Sequence, residues 1–411
     1  MQHLSADFDP AGGAPSHRRK ETMQDTATTM NPTVRTQVLD WLASQQQAMQ
    51  DLLHKVVNID SGSRDEAGVT AVAHALAERL QAAGVPVQFE PVPGYGVLLH
   101  AQVNAAGQGA PIILMGHMDT VYPAGTVAKR PYREEAGRAY GPGVADMKSG
   151  LVLNVFVAEA FARCGGLQAP LHLFFSCDEE IGSPATRDLI TARARGARAV
   201  FNAEPGRVSG NVVSSRKGSM VVEFEVQGVA AHAGINHAAG ASAIDALARK
   251  TLALHALTDP ATGVTCNVGV VHGGIVPNMV APHAKAEVDL RFTSDTDPDA
   301  LLERVRAIVE EESVPRTQGR ITLSRRTMPM KPTPDDLLAL YQQGARAVGF
   351  DVQGEFTGGA ADSGLTASVG VPTLCATGPV GGHAHTEREY CELNTFVPRA
   401  QAVALAVLDH P

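Results

Sequence analysis

The sequence predicts an α/β body with a mostly parallel central sheet, interrupted by a smaller inserted α+β unit. Three observations carry this reading. Helical and strand-like segments alternate from Thr33 to about Ala203, the order changes between Ser219 and Arg325, and alternation resumes beyond Pro334. Such alternation is the pattern of a parallel sheet covered by helices.

In the first stretch, the short apolar runs Pro111–Met115, Leu171–Phe175 and Ala199–Phe201 read as buried strands, each followed closely by polar residues. An apolar helix is expected near Met147 to Arg163. The middle stretch reads as a strand (Met220–Gln227), a helix (Ala241–Leu257), two strands (Thr265–Val271, Ala284–Phe292), a helix (Pro298–Glu311) and a strand (Ile321–Arg325). That βαββαβ order is the ferredoxin-like unit. A helix (Asp335–Val348), a strand near Pro372–Ala376 and a last helix (Thr395–Leu408) complete the body. The expected division is a disordered tail over 1–32, a discontinuous body over 33–213 and 328–411, and an insert over 214–327.

Length and charge narrow the function classes. At about 100–200 residues per domain, 411 residues make about two or three domains. With 34 basic and 43 acidic residues the net charge is −9, which disfavours nucleic acid or an anionic membrane as partner. The expected partner is a small molecule. No run approaches the ~18–20 apolar residues of a membrane span, since Leu151–Phe161 already contains Asn154 and Glu159. The first thirty or so residues carry Arg18, Arg19 and Lys20 with no apolar stretch behind them, so no export signal is expected. Five scattered cysteines without a Cys-x-x-Cys pair support neither a disulfide framework nor a thiolate metal site, and fit a reducing cytoplasm.

The chemistry-bearing residues gather behind the predicted strands. His117 and Asp119 follow the first run, at the carboxyl end where ligand crevices of open α/β sheets form. There Asp119 could orient the His117 imidazole, as carboxylates orient metal-bound histidines. A Gly/Pro-rich loop delivers Asp146 to the start of the apolar helix, either as an N-cap or as a carboxylate with two oxygens free to bridge cations. Asp178, Glu179 and Glu180 follow the second run; such crowding calls for positive charge nearby. In extended chain Glu179 and Glu180 would point to opposite sides, so that one could bind metal while the other holds a water. Glu204 follows the third run, and a late loop offers His383 and His385. Histidines and carboxylates without thiolate suit zinc, or less selectively cobalt or manganese.

At these residues the chain resembles the co-catalytic zinc metallopeptidase family that includes glutamate carboxypeptidase (carboxypeptidase G), aminoacylase, acetylornithine deacetylase and succinyl-diaminopimelate desuccinylase. The resemblance runs from about Val34 to Leu408. It rests on Gly-His-Met-Asp-Thr-Val (from Gly116), Gly-Val-Ala-Asp-Met-Lys-Ser-Gly (from Gly143), Asp-Glu-Glu-Ile-Gly-Ser (from Asp178) and His-Thr-Glu-Arg-Glu-Tyr (from His385). It implies a zinc-peptidase-like catalytic domain and an insert that serves as lid and dimerisation domain. It further implies two Zn2+ per subunit, with Co2+ or Mn2+ as substitutes. His117 and Glu204 would bind one ion, Glu180 and His385 the second, and Asp146 both, with Asp119 supporting His117 and Glu179 as general base. His385 is preferred over His383 because it opens the terminal motif. His232, in Gly228-Val-Ala-Ala-His-Ala-Gly, matches a histidine that reaches a neighbouring subunit's site in a homodimer. Asn278, Arg291 and the Gly358-Gly359-Ala360 turn match positions that hold a substrate's free carboxylate. The implied activity is hydrolysis of a short peptide or N-acyl amino acid, as a glutamate-type carboxypeptidase ahead of an aminoacylase-like deacylase. A non-catalytic metal-binding protein is the third reading. The insert counts against a two-metal aminopeptidase, whose relatives are expected to lack it.

Overall fold

In the computed structural model, which describes residues 32–411, the three apolar runs become adjacent parallel strands at the centre of an eight-stranded sheet. The expected tail lies outside the described residues, apart from Pro32, the first residue of the helix Pro32–Ala43. The sheet order is Val87–Val92, Gly96–Val103, Leu171–Ser176, Ile112–His117, Ala199–Asn202, Thr373–Cys375, Val212–Arg216, Gly354–Thr357. From Leu171–Ser176 to Thr373–Cys375 the strands are parallel, whereas Gly96–Val103 and Val212–Arg216 join them antiparallel, so the sheet as a whole is mixed. The register pairs His117 with Ser176 and Met115 with Asn202, so the three central strands end together. Whatever follows them emerges at one edge.

The helix Ser149–Cys164 is buried on all sides from Ser149 to Phe161, as its apolar composition demands. It packs with Pro32–Ala43 and Phe396–Leu408 over the main core. Glycines allow its first turn to approach the sheet: a Cβ on Gly150 or on Gly378 would run into the Ala203 carbonyl oxygen.

The middle stretch forms a separate antiparallel sheet in the order Thr265–Gly273, His283–Phe292, Gly218–Gln227, Gln318–Thr327. Numbered along the unit this is 2-3-1-4, the ferredoxin-like arrangement. Gly218–Gln227 alternates buried and half-buried residues, burying Met220, Val222, Phe224 and Val226 against Leu247, Leu301 and Val305. Its helices start at side-chain caps: Ser242 Oγ accepts from the Asp245 N–H, and the Asp297 carboxylate accepts from the Asp299 and Ala300 N–H groups. The strand Val212–Arg216 stays in the large sheet beyond residue 214, where the sequence reading began the insert.

A small sheet joins Tyr390–Glu392 to Arg138–Tyr140, drawing the late loop against the loop that precedes Asp146. Among the described residues no helix is long and apolar enough to cross a membrane. All five cysteines are free.

Candidate metal centre

His117 ends its strand 1% exposed, with Nδ1 3.0 Å from the Asp119 carbonyl oxygen and 3.4 Å from Asp119 Oδ1. Its Nε2 points the other way, 3.3 Å from Asp146 Oδ1 and 3.8 Å from both Glu179 Oε2 and Glu204 Oε1. No hydrogen bond satisfies this buried nitrogen among the described residues, nor the buried Glu180 Oε1. Orphaned buried polar atoms are costly, and a shared cation is one way to satisfy them. Asp146 Oδ2 lies 3.4 Å from His385 Nε2, which in turn is 3.1 Å from Glu180 Oε2. Asp146 therefore turns one oxygen to each imidazole. Ligand atoms of His117, Asp146 and Glu180 all fall within 4.8 Å of one another, a group able to hold a metal ion.

Local structure departs from the sequence reading at two points. Glu179 and Glu180 do not lie in extended chain; they open a 3-10 turn, Glu179–Ile181, in which successive side chains still diverge. The Asp119 carboxylate fixes this turn, accepting from the Glu179 and Glu180 N–H groups at 3.1 Å each and from Ser63 Oγ at 2.6 Å. Asp119 thus orients both the imidazole and the paired acids. Asp146 is not the N-cap: Lys148 occupies that position, leaving the Asp146 carboxylate between His117 and His385.

The electrostatics describe a site short of positive charge. Burial pulls the His117 imidazole down, but Asp119, Asp146, Glu179 and Glu204 outweigh it and hold it well above the usual range. Hydrogen bonding to Asp146 and Glu180 raises His385 to about 10. Burial, with the Asp146 charge beside it, pushes Glu204 up to about 8, and burial also lifts Glu179 well above an ordinary carboxylate. The positive charge expected near the acids is partly supplied by Arg216, which no motif had flagged. It is buried, donates to the Gly359 carbonyl at 3.2 Å, and is held charged near Glu204 and Glu179.

Asp146, Glu179, Glu180, Glu204 and His385 line a cleft of about 380 Å³. Arg207, Arg216, Arg291, Arg325 and Arg326 line it too, as do Gly359 and Ala360. Arg291 is oriented by Asp289 at 2.8 and 2.9 Å. Gly358 neighbours this wall without lining it. Asn278 and His232 lie elsewhere on the insert: the Asn278 carbonyl accepts from Ala233, and His232 Nδ1 accepts from the Gly234 and Ile235 N–H groups at 3.2 Å. His383 turns from the cluster to stack edge-on against Tyr390, 5.8 Å between ring centres. Sequence reasoning also missed Ser63, and gave no role to Glu389 although it stands in the terminal motif.

A family model described as Peptidase family M20/M25/M40 matches residues 113–409. Carboxypeptidase G2 of Pseudomonas sp. (strain RS-16) is 28% identical over 375 residues, spanning 89% of this chain and 90% of its own. Succinyl-diaminopimelate desuccinylase of Leptothrix cholodnii is 25% identical over 371 residues, spanning 84% and 94%. The crystal structure of aminopeptidase PepT from Bacillus cereus shares the fold with a TM-score of 0.71 at 20% identity, over 89% of this chain and 98% of that one. A match of that extent takes in the insert, so the insert by itself does not exclude aminopeptidases.

Proposed function

Because the chain belongs to peptidase family M20/M25/M40, we propose that it is a two-metal amidohydrolase that cleaves an amide bond beside a free carboxylate, acting as a glutamate-type carboxypeptidase that releases a C-terminal amino acid. The observation that carries this reading is the pair of orphaned buried atoms, His117 Nε2 and Glu180 Oε1, gathered with the Asp146 carboxylate. In this reading His117 and Glu204 would hold one ion, Glu180 and His385 would hold the other, and Asp146 would contribute to both. The imidazole and carboxylate set favours zinc, with cobalt or manganese as substitutes. Ions there would lower the pKa of a water, the chemistry this cluster cannot supply alone.

Glu179 takes the proton of the attacking water and returns it to the leaving nitrogen; burial and the raised proton affinity it brings suit that exchange. Asp119 holds the Glu179 turn and His117 in register. The arginine-lined wall supports a substrate with a free carboxylate, because guanidinium groups bind one through two parallel hydrogen bonds. Arg291 and Gly359 serve there, with Gly358 shaping the turn.

His232 acts from the partner subunit of a homodimer, stabilising the developing oxyanion, and Asn278 serves the substrate's free carboxylate. Exposed apolar side chains on the insert support pairing through it: Ile235 is 80% exposed, Leu252 74% and Ile275 72%. Thr265–Gly273 is an edge strand of the insert's sheet, with backbone groups open to a further strand. Free cysteines throughout agree with a cytoplasmic location.

A second reading, an N-acyl-amino-acid deacylase, draws on the desuccinylase relative and keeps every role above while changing the acyl side of the cleft. Metal analysis with a screen of dipeptides and N-acyl amino acids, each with free and blocked carboxylates, separates the readings. Chelation should abolish turnover and zinc restore it. Full turnover by rigorously metal-free protein, or equal turnover of blocked substrates, would overturn the proposal.

A further inference from the structure

Glu389 is a buried carboxylate that the proposed chemistry leaves unused, 1% exposed and four residues beyond His385. Its Oε1 accepts from the Ala145 N–H at 2.9 Å and the Asp146 N–H at 3.0 Å. Its Oε2 accepts from the Gly143 N–H at 3.2 Å and from the Tyr122 hydroxyl at 2.7 Å. Three amides of one short loop, those of Gly143, Ala145 and Asp146, and a phenol thus converge on one anion, as in backbone nests that bind anions. A carboxylate is an expensive group to bury, and a neutral side chain would suffice to fill space. What the charge adds is orientation.

The amide at the centre of this grip belongs to Asp146, whose carboxylate oxygens sit 3.3 and 3.4 Å from the two imidazoles. Glu389 also belongs to the turn that carries His385, its own N–H bonding to the Thr386 carbonyl. Tyr122 braces the same turn, its hydroxyl 2.9 Å from that carbonyl oxygen. One carboxylate therefore joins the loop of Asp146 to the loop of His385. We infer that Glu389, braced by Tyr122, is a positioning residue that presets the separation of Asp146 and His385 for metal binding. This rests on the reading that the His117, Asp146 and Glu180 cluster holds metal.

The test is zinc affinity by chelator competition, together with the visible absorption of the cobalt-substituted protein, for wild type, Glu389→Gln and Tyr122→Phe. Glutamine keeps an acceptor for Ala145 and Asp146 but turns an amide donor toward Gly143. Glu389→Gln should weaken zinc binding by about tenfold or more and change the cobalt spectrum, as loss of a group that orients a metal ligand does. Tyr122→Phe, which removes one hydroxyl, should move both in the same direction by less. A folded Glu389→Gln with wild-type affinity and spectrum, whatever its melting temperature, would reduce Glu389 to a structural residue. Should that variant not fold, a wild-type result for Tyr122→Phe sinks the inference equally. Wild type that binds no zinc would instead refute the metal centre itself, and the inference with it.

Discussion

Adjacent glutamates with different neighbours are the sharpest feature at the scale of single residues. Glu180 faces His385 at 3.1 Å, while Glu179 stands 3.8 Å from His117 and reaches toward the cleft. Replacing Glu179 by Gln keeps shape and hydrogen bonding but removes the proton acceptor, so kcat should fall by about 10²–10⁴-fold with metal content unchanged. Asp146→Ala should instead lose metal, since both imidazoles share that carboxylate. Metal stoichiometry beside single-turnover rates distinguishes the defects, and near-normal turnover by Glu179→Gln would remove it as the base.

Elements bring these side chains together through close backbone approach. The first turn of Ser149–Cys164 lies against Ala203, one residue before Glu204, because Gly150 has no side chain there. Gly150→Ala should cost about 1–3 kcal/mol of stability, as overpacking does, and weaken metal binding by moving the Asp146 loop off Glu204. Denaturant unfolding and zinc titration measure both; an unchanged midpoint would mean that the helix yields freely. Acid sensitivity belongs to the opposite flank of the sheet. Burial, followed by the charges of Arg193 and His172, lowers His100 on Gly96–Val103 to about 4. The unfolded chain binds this proton near pH 6.5 and the folded chain only near 4, so stability should fall as pH drops through that window and level off below it. His100→Gln should flatten that part of the stability curve; an identical slope in both proteins would assign the loss to other groups.

For the whole molecule, the proposal divides one reaction between two chains. Every proposed ligand lies on the large-sheet body, whereas His232 lies on the insert, outside the cleft of its own chain. His232→Ala and Glu179→Gln proteins, each nearly inactive, should therefore complement when subunits exchange. A mixed dimer has one site with both intact groups, which limits recovery to about half of wild type per heterodimer. Verified heterodimers as inactive as their parents would end the cross-subunit role.

Where His117 and the acids behind the central strands emerge is written in local pattern. Short apolar runs bounded by polar residues mark buried parallel strands, and parallel strands in register must end on one edge, so His117, Glu179, Glu180 and Glu204 were legible as neighbours. The βαββαβ order of the insert was equally plain from local periodicity. Long-range packing sets which way His383 and His385 turn, that Arg216 stands near the acids, and what Glu389 grips. These are contacts between distant segments: Glu389 and Ala145 are 244 positions apart, and no periodicity within either loop encodes their meeting. Local pattern reports which face of an element is buried, whereas the partner across an interface depends on how separate elements pack.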